Sequence, residues 1–249
     1  MTQLLVSVKS VEEALIALEA GVDIIDLKDP ENGALGALDL ALSTQIVHQI
    51  QQHNINMMND SLPVNVSATV GEHHIDMESL INSILERALI KVDIIKVAIS
   101  TFERISNWRN DLDIQKIRDV NPDIKLVAVF FADQKIDLIQ LELLKKLGFY
   151  GAILDTSAKH QNLFEICTIP HLQMFTQYCQ KNALKSGLAG SLKPQHIECL
   201  TTIGPSYIGF RGGVCEADAR SNSLVMNKVV KVKKLLHEHN KFNHLARQC

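Results

Sequence analysis

Short runs of β-branched and other apolar residues alternate with amphipathic stretches along the chain. The runs Leu4–Val8, Asp23–Lys28, Val64–Thr69, Ile94–Ile99, Lys125–Phe131, Gly151–Asp155, Lys185–Ala189 and Tyr207–Arg211 read as eight strands. Several are apolar at successive positions, as expected of parallel strands covered on both faces. The intervening stretches carry helical spacing. Ser10-Val11-Glu12-Glu13 has the form of a capping box, with Val11, Leu15 and Leu18 on one face and Gly21 as the stop. Met77–Ala88, Ile136–Leu147, Leu172–Asn182 and Pro194–Thr202 read as further helices, and Gly148 and Gly204 stand where C-terminal caps belong.

Alternating βα units in a chain of this length predict a single-domain (β/α)8 TIM barrel over residues 1–236, followed by a polar, fraying tail at 237–249. A doubly wound open sheet would want a glycine-rich turn after the first strand. Ser7-Val8-Lys9-Ser10 stands there instead, and the chain has no GxGxxG and no Walker A motif.

The 249 residues carry 28 acidic and 25 basic side chains, a net charge of -3, and are 5% aromatic. That balance gives no reason to expect nucleic acid or an anionic membrane as partner. Met1–Lys9 lacks the basic and apolar regions of a signal peptide, and no run of roughly 18 apolar residues is present, so a cytoplasmic protein is expected. Five cysteines without a CxxC pair fit a reduced compartment.

In a barrel, chemistry belongs at the carboxyl ends of the strands. Asp26 and Lys28 share parity, opposite to Ile25 and Leu27, so the charged pair is expected inside the barrel. Lys96 interrupts an otherwise apolar strand, and Asp155 ends strand six with Lys159 four residues on. A structural ion pair is the plain alternative for each. Three lysines and two aspartates at one mouth would instead favour a neutral amine on at least one lysine, able to form a Schiff base with an aldehyde or ketone, with carboxylates moving protons. Asp26, Lys28, Lys96, Asp155 and Lys159 are therefore the candidate catalytic residues. Ser7, Ser67 and Thr69 at the ends of strands one and three are candidate substrate contacts. Gly190-Ser191 and Arg211-Gly212-Gly213 fall where barrels hold phosphate, with Arg211 facing it. Asn32-Gly33-Ala34-Leu35-Gly36-Ala37 could form a lip over the mouth. His73, His74 and His160 lie on the same side, but without HExxH, a strand-end HxH or a Cys/His cluster no metal is expected.

These residues also carry a resemblance. Leu4–Val8, Gly21-Val22-Asp23-Ile24-Ile25-Asp26-Leu27-Lys28-Asp29-Pro30, Gly33–Ala37, Val66–Gly71, Leu154–Lys159, Gly187–Leu192 and Gly209–Cys215, in order over the first 215 positions, are similar to (5-formylfuran-3-yl)methyl phosphate synthase. The resemblance implies a cofactor-free barrel lyase that condenses two molecules of glyceraldehyde 3-phosphate into 4-(hydroxymethyl)-2-furancarboxaldehyde phosphate, with loss of phosphate and water. It implies Lys28 as the Schiff-base residue and Lys96 as proton acceptor, with Asp26, Asp155 and Lys159 in the same site. The family's Gly-rich, Arg-containing stretch after Cys215 appears here as Glu216–Arg220, which leaves open whether Arg220 touches phosphate.

Two other readings stay in view. Asp26-Leu27-Lys28-Asp29-Pro30-Glu31 is a near miss to the Asp-x-Lys-x-x-Asp of orotidine-decarboxylase and hexulose-phosphate-synthase barrels, where the lysine stays charged. A barrel that binds without catalysis is the other. A homo-oligomer acting on a small triose phosphate, without nucleic acid or membrane, completes the expectation.

Overall fold

The computed structural model describes residues 1–57, 62–105, 112, 114–158 and 160–246. Eight parallel strands close on themselves in sequence order: β1 (Gln3–Val8), β2 (Ile24–Leu27), β3 (Asn65–Thr69), β4 (Ile94–Ala98), β5 (Lys125–Phe131), β6 (Gly151–Asp155), β7 (Lys185–Leu188) and β8 (Tyr207–Phe210). β8 returns to β1 with Leu4 opposite Ile208 and Val6 opposite Phe210. Every expected strand is present, trimmed mainly at its ends. The single-domain TIM barrel is therefore the observed fold.

The alternation of side chains divides the core in two. Leu4, Val6, Val8, Ile25, Leu27, Val66, Ala68, Ile95 and Val97 point outward into one apolar layer shared with the helices. Leu5, Ile24, Ile94, Val127, Val129, Ile153 and Tyr207 fill the barrel, with Ala34 and Leu35 of the lip packed onto them. Asp26 follows the second parity and lies inside, as its spacing predicts.

Gly187 shows how tightly the interior is filled. A Cβ there would lie 2.3 Å from Cε2 of Tyr207 and 2.8 Å from Cγ1 of Ile153. Neither the rigid ring nor the branched chain can yield easily. Gly187→Ala is expected to cost about 1–3 kcal/mol of stability through overpacking, measured by urea denaturation.

Three local expectations are corrected. Ser10 caps helix Val11–Glu19 by accepting the Glu13 N–H at 3.2 Å, but the Glu13 carboxylate does not close the box. It turns inward instead and accepts the Lys9 N–H at 2.8 Å. The buried face of that helix runs through Glu13, Ala14, Ala17 and Leu18, leaving Leu15 48% exposed, because the small alanines let the helix sit close to the barrel. Finally, the helix Met226–Ala246 continues past Leu236 through most of the expected tail. Asn240 holds it there, accepting from Thr2 N at 3.0 Å and donating to Thr2 O at 2.8 Å. Among the described residues, no helix is long and apolar enough to cross a membrane.

Candidate active site at the carboxyl ends of the strands

A cavity of about 520 Å³ opens over the carboxyl ends of the strands, lined by Ser7, Asp26, Lys28, Lys96, Asp155 and the β7 and β8 loops. Its floor is an ion pair. Asp26 is fully buried and its Oδ2 lies 2.7 Å from Nζ of Lys96, itself 5% exposed. The hydroxyl of Ser7 donates to Oδ2 at 2.8 Å and that of Ser67 to Oδ1 at 2.7 Å. Burial pushes the Asp26 carboxyl up, but the charges of Lys96 and Lys28 and these hydrogen bonds outweigh it, so the carboxyl is held below its ordinary value. Both strands reach this geometry by parity: Asp26 sits opposite Ser7 and Ser67 in register, and Lys96 opposite Thr69.

Lys28 follows β2 and reaches the mouth above that floor. Its Nζ lies 3.8 Å from Oδ2 of Asp155, at the end of β6. Oδ1 of Asp155 accepts the Thr156 N–H at 2.7 Å, which fixes the carboxylate against its own loop. Four of the five candidate catalytic residues thus converge in two stacked acid–base pairs. Lys159 lies outside the described residues. The loop leading to it is held by Asp133, whose carboxylate accepts from Ser157 N at 3.0 Å and Ala158 N at 2.9 Å. Burial raises the Asp133 carboxyl, and the donors of Ala158 and Ser157 more than offset that, leaving it lowered.

The expected substrate contacts divide. Ser7, Gly190, Ser191, Gly212 and Gly213 line the cavity. Ser67 and Thr69 are fully buried and do not. The Ser67 hydroxyl belongs to Asp26, and that of Thr69 donates to Gly36 O at 2.7 Å, pinning the lip. These two act beneath the mouth, not on its surface.

Arg211 also lines the cavity, but its donors are turned to the protein. Its guanidinium faces Glu13, with Nη2 3.1 Å from Oε1 and Nη1 2.5 Å from Oε2. Nη1 also donates to Ser7 O, Nη2 to Asn222 O and Nε to Arg220 O. All five N–H groups are occupied, so none is left for a phosphate. Glu13 is 4% exposed and also accepts from Leu224 N. The pair ties the start of the first helix to the β8 loop. Spacing alone read Glu13 as half of a local cap, and nothing local signals a partner 198 positions away.

Two polar residues that the sequence left without a role also shape the mouth, Asp133 and Glu72, which accepts Leu35 N at 2.9 Å; Arg220, whose part the sequence left open, lines the cavity and donates to Pro30 O and Gly33 O. Among the described residues no group of three or more His, Cys, Asp or Glu is placed to hold a metal ion.

Comparison with known proteins gives this geometry its context. The pattern of the 4-HFC-P synthase family matches residues 4–233. The (5-formylfuran-3-yl)methyl phosphate synthase of Methanosarcina mazei is 32% identical over 238 residues, covering 92% of this chain and 97% of that protein. That of Methanosarcina acetivorans is 31% identical, covering 88% and 93%. Among solved structures, 3-hexulose-6-phosphate synthase from Salmonella typhimurium superposes with a TM-score of 0.61 at 15% identity, covering 96% and 100%. Phosphoribosyl anthranilate isomerase from Thermus thermophilus gives 0.62 at 10%, covering 95% and 99%. At those identities the likeness concerns the fold alone.

Proposed function

The chain belongs to the 4-HFC-P synthase family, and from that premise we propose that it condenses two molecules of glyceraldehyde 3-phosphate through a Schiff base on Lys28. The product is 4-(hydroxymethyl)-2-furancarboxaldehyde phosphate, with inorganic phosphate and water released. The observation that carries this reading is the placement of the Lys28 amine at the mouth, 3.8 Å from Asp155 and directly above the buried Asp26–Lys96 pair.

Lys28 Nζ adds to the aldehyde carbon of the first triose phosphate, and the carbinolamine loses water to give a protonated imine. The imine draws electrons from C2, whose proton passes to a base. Asp155 stands beside the attacking nitrogen and suits that task. The electron pair left on C2 forms an enamine, which expels the C3 phosphate as the leaving group. Addition to the second triose phosphate, ring closure and further loss of water complete the furan, and hydrolysis of the imine frees Lys28. Lys96 is the proton-transfer group below the imine, with Asp26 as its counter-ion. The lip and the closed floor limit bulk water, which would hydrolyse the intermediates. No cofactor enters this scheme, since imine chemistry supplies the electron sink.

The test uses glyceraldehyde 3-phosphate alone, following a furan ultraviolet band and released phosphate. Both are expected to rise together. If neither appears, the substrate assignment is wrong even though the fold is right. Borohydride added during turnover is expected to leave a mass adduct on Lys28, which separates this scheme from barrels whose lysine stays charged and only donates protons.

A further inference from the structure

We propose that Arg220 is the group that reads the substrate's phosphate, binding it through Nη1 while Nη2 holds the strand-two lip over the mouth. The proposal rests on the triose phosphate reading above and names the phosphomonoester as the feature recognised.

Arg211 cannot serve, because every one of its donors is engaged. Arg220 lines the same cavity and is half-buried. Its Nη2 donates to Pro30 O and Gly33 O, which places the guanidinium against the lip. Its Nε and Nη1 donate to no described residue, and no carboxylate of the described residues lies within ion-pair distance. A half-buried guanidinium with unused donors, on a residue that lines a cavity, is stabilised by an anion that accepts a charge-assisted hydrogen bond from it. The nearby carboxylates are occupied elsewhere. Asp29 accepts from Glu31 N at 2.9 Å and Asn32 Nδ2 at 2.6 Å, Glu72 accepts from Leu35 N at 2.9 Å, and Asp155 accepts from Thr156 N at 2.7 Å.

Backbone donors supply the other side. Gly190, Gly212 and Gly213 line the cavity, and their N–H groups meet no acceptor among the described residues. The β7 and β8 loops that carry them are in close contact, since a Cβ on Gly213 would fall 2.3 Å from Leu192 O. A dianion between this amide cluster and the Arg220 guanidinium would be bound from two directions, and the same guanidinium ties the lip to that ligand.

Binding is measured by calorimetry with glycerol 3-phosphate, which has no carbonyl and cannot react, and with glycerol. Arg220→Gln is expected to weaken glycerol 3-phosphate about 10- to 100-fold, and Arg220→Lys, which keeps the charge but cannot hold the lip and the phosphate from one planar group, to recover only part of that. Unchanged affinity in Arg220→Gln overturns the proposal. A second measurement separates recognition from a mere latch. Borohydride trapping on Lys28 is run with glyceraldehyde and with glyceraldehyde 3-phosphate. Phosphate recognition predicts a loss confined to the phosphorylated aldehyde, whereas an equal loss with both makes Arg220 a latch only and overturns the proposal. The calorimetric result needs no turnover. An Arg220-dependent phosphate site in a protein that makes no furan would sink the proposed reaction and leave this site standing.

Discussion

Replacing Lys28 by alanine is expected to lower turnover of glyceraldehyde 3-phosphate by at least about three orders of magnitude and to abolish the borohydride adduct. No other described amine can take over the covalent step from the same place. Lys96 is pinned 2.7 Å from Asp26 at the floor, and Lys193 is exposed on the rim. Folding should survive. Lys28 lies beyond the last residue of β2, its side chain is 11% exposed, and Asp155 keeps its hydrogen bond to Thr156 N without it. A melting temperature within a few degrees of the parent would certify that the lost activity is chemical. Lys28→Arg sharpens the comparison. Arginine preserves the positive charge beside Asp155 but cannot form an imine at neutral pH. If Lys28→Arg retained activity within about tenfold, the lysine would be acting through its charge and the covalent mechanism would have to be abandoned.

The charged floor was legible because two rules of chain geometry act on it together. Strand alternation places Asp26 on the side opposite Ile25 and Leu27, and charge is too costly inside a barrel to stand without a partner. The partner could be read too. Val22-Asp23-Ile24-Ile25-Asp26 and Val92-Asp93-Ile94-Ile95-Lys96 share one pattern. In both, the first aspartate accepts a backbone N–H from the preceding strand, Leu4 N for Asp23 and Val66 N for Asp93, each at 2.7 Å. In both, the fifth residue points inward, and the two fifth residues pair.

What the sequence could not decide was which arginine keeps donors free of protein partners. Arg211 and Arg220 are nine residues apart on one loop, and local spacing favours the one next to the glycines. Both line the cavity, but Glu13, on another element, draws Arg211 into a buried pair that uses its donors, whereas Arg220 keeps donors unused. Contacts between distant segments follow from the closed barrel and have no local signature. The same holds for Ser67 and Thr69. Their type and position suit a substrate, but Asp26 and the Gly36 carbonyl claim their hydroxyls first.

Asp26→Asn is expected to destabilise the protein by about 3–5 kcal/mol near neutral pH, the largest stability effect in the site. The substitution keeps the shape and leaves the Lys96 ammonium buried at 5% exposure without a counter-charge. The amide also turns a donor toward a position where the carboxylate only accepted. Removing both charges at once, in Asp26→Asn with Lys96→Met, is expected to restore much of the stability while turnover stays absent, because a missing pair costs less than half a pair. Acid gives an independent reading of the same interaction. The folded-state carboxyl is held below its ordinary value of 3.8, so its contribution is complete above that value and is lost as pH falls through the lower folded-state value. The parent should therefore lose stability relative to Asp26→Asn as pH falls through that window, and the gap between their urea midpoints should narrow. A gap that stays constant from pH 7 into that acid range would mean that the charge of Asp26 does not hold Lys96, and the floor would then be a hydrogen-bonded polar cluster rather than an ion pair.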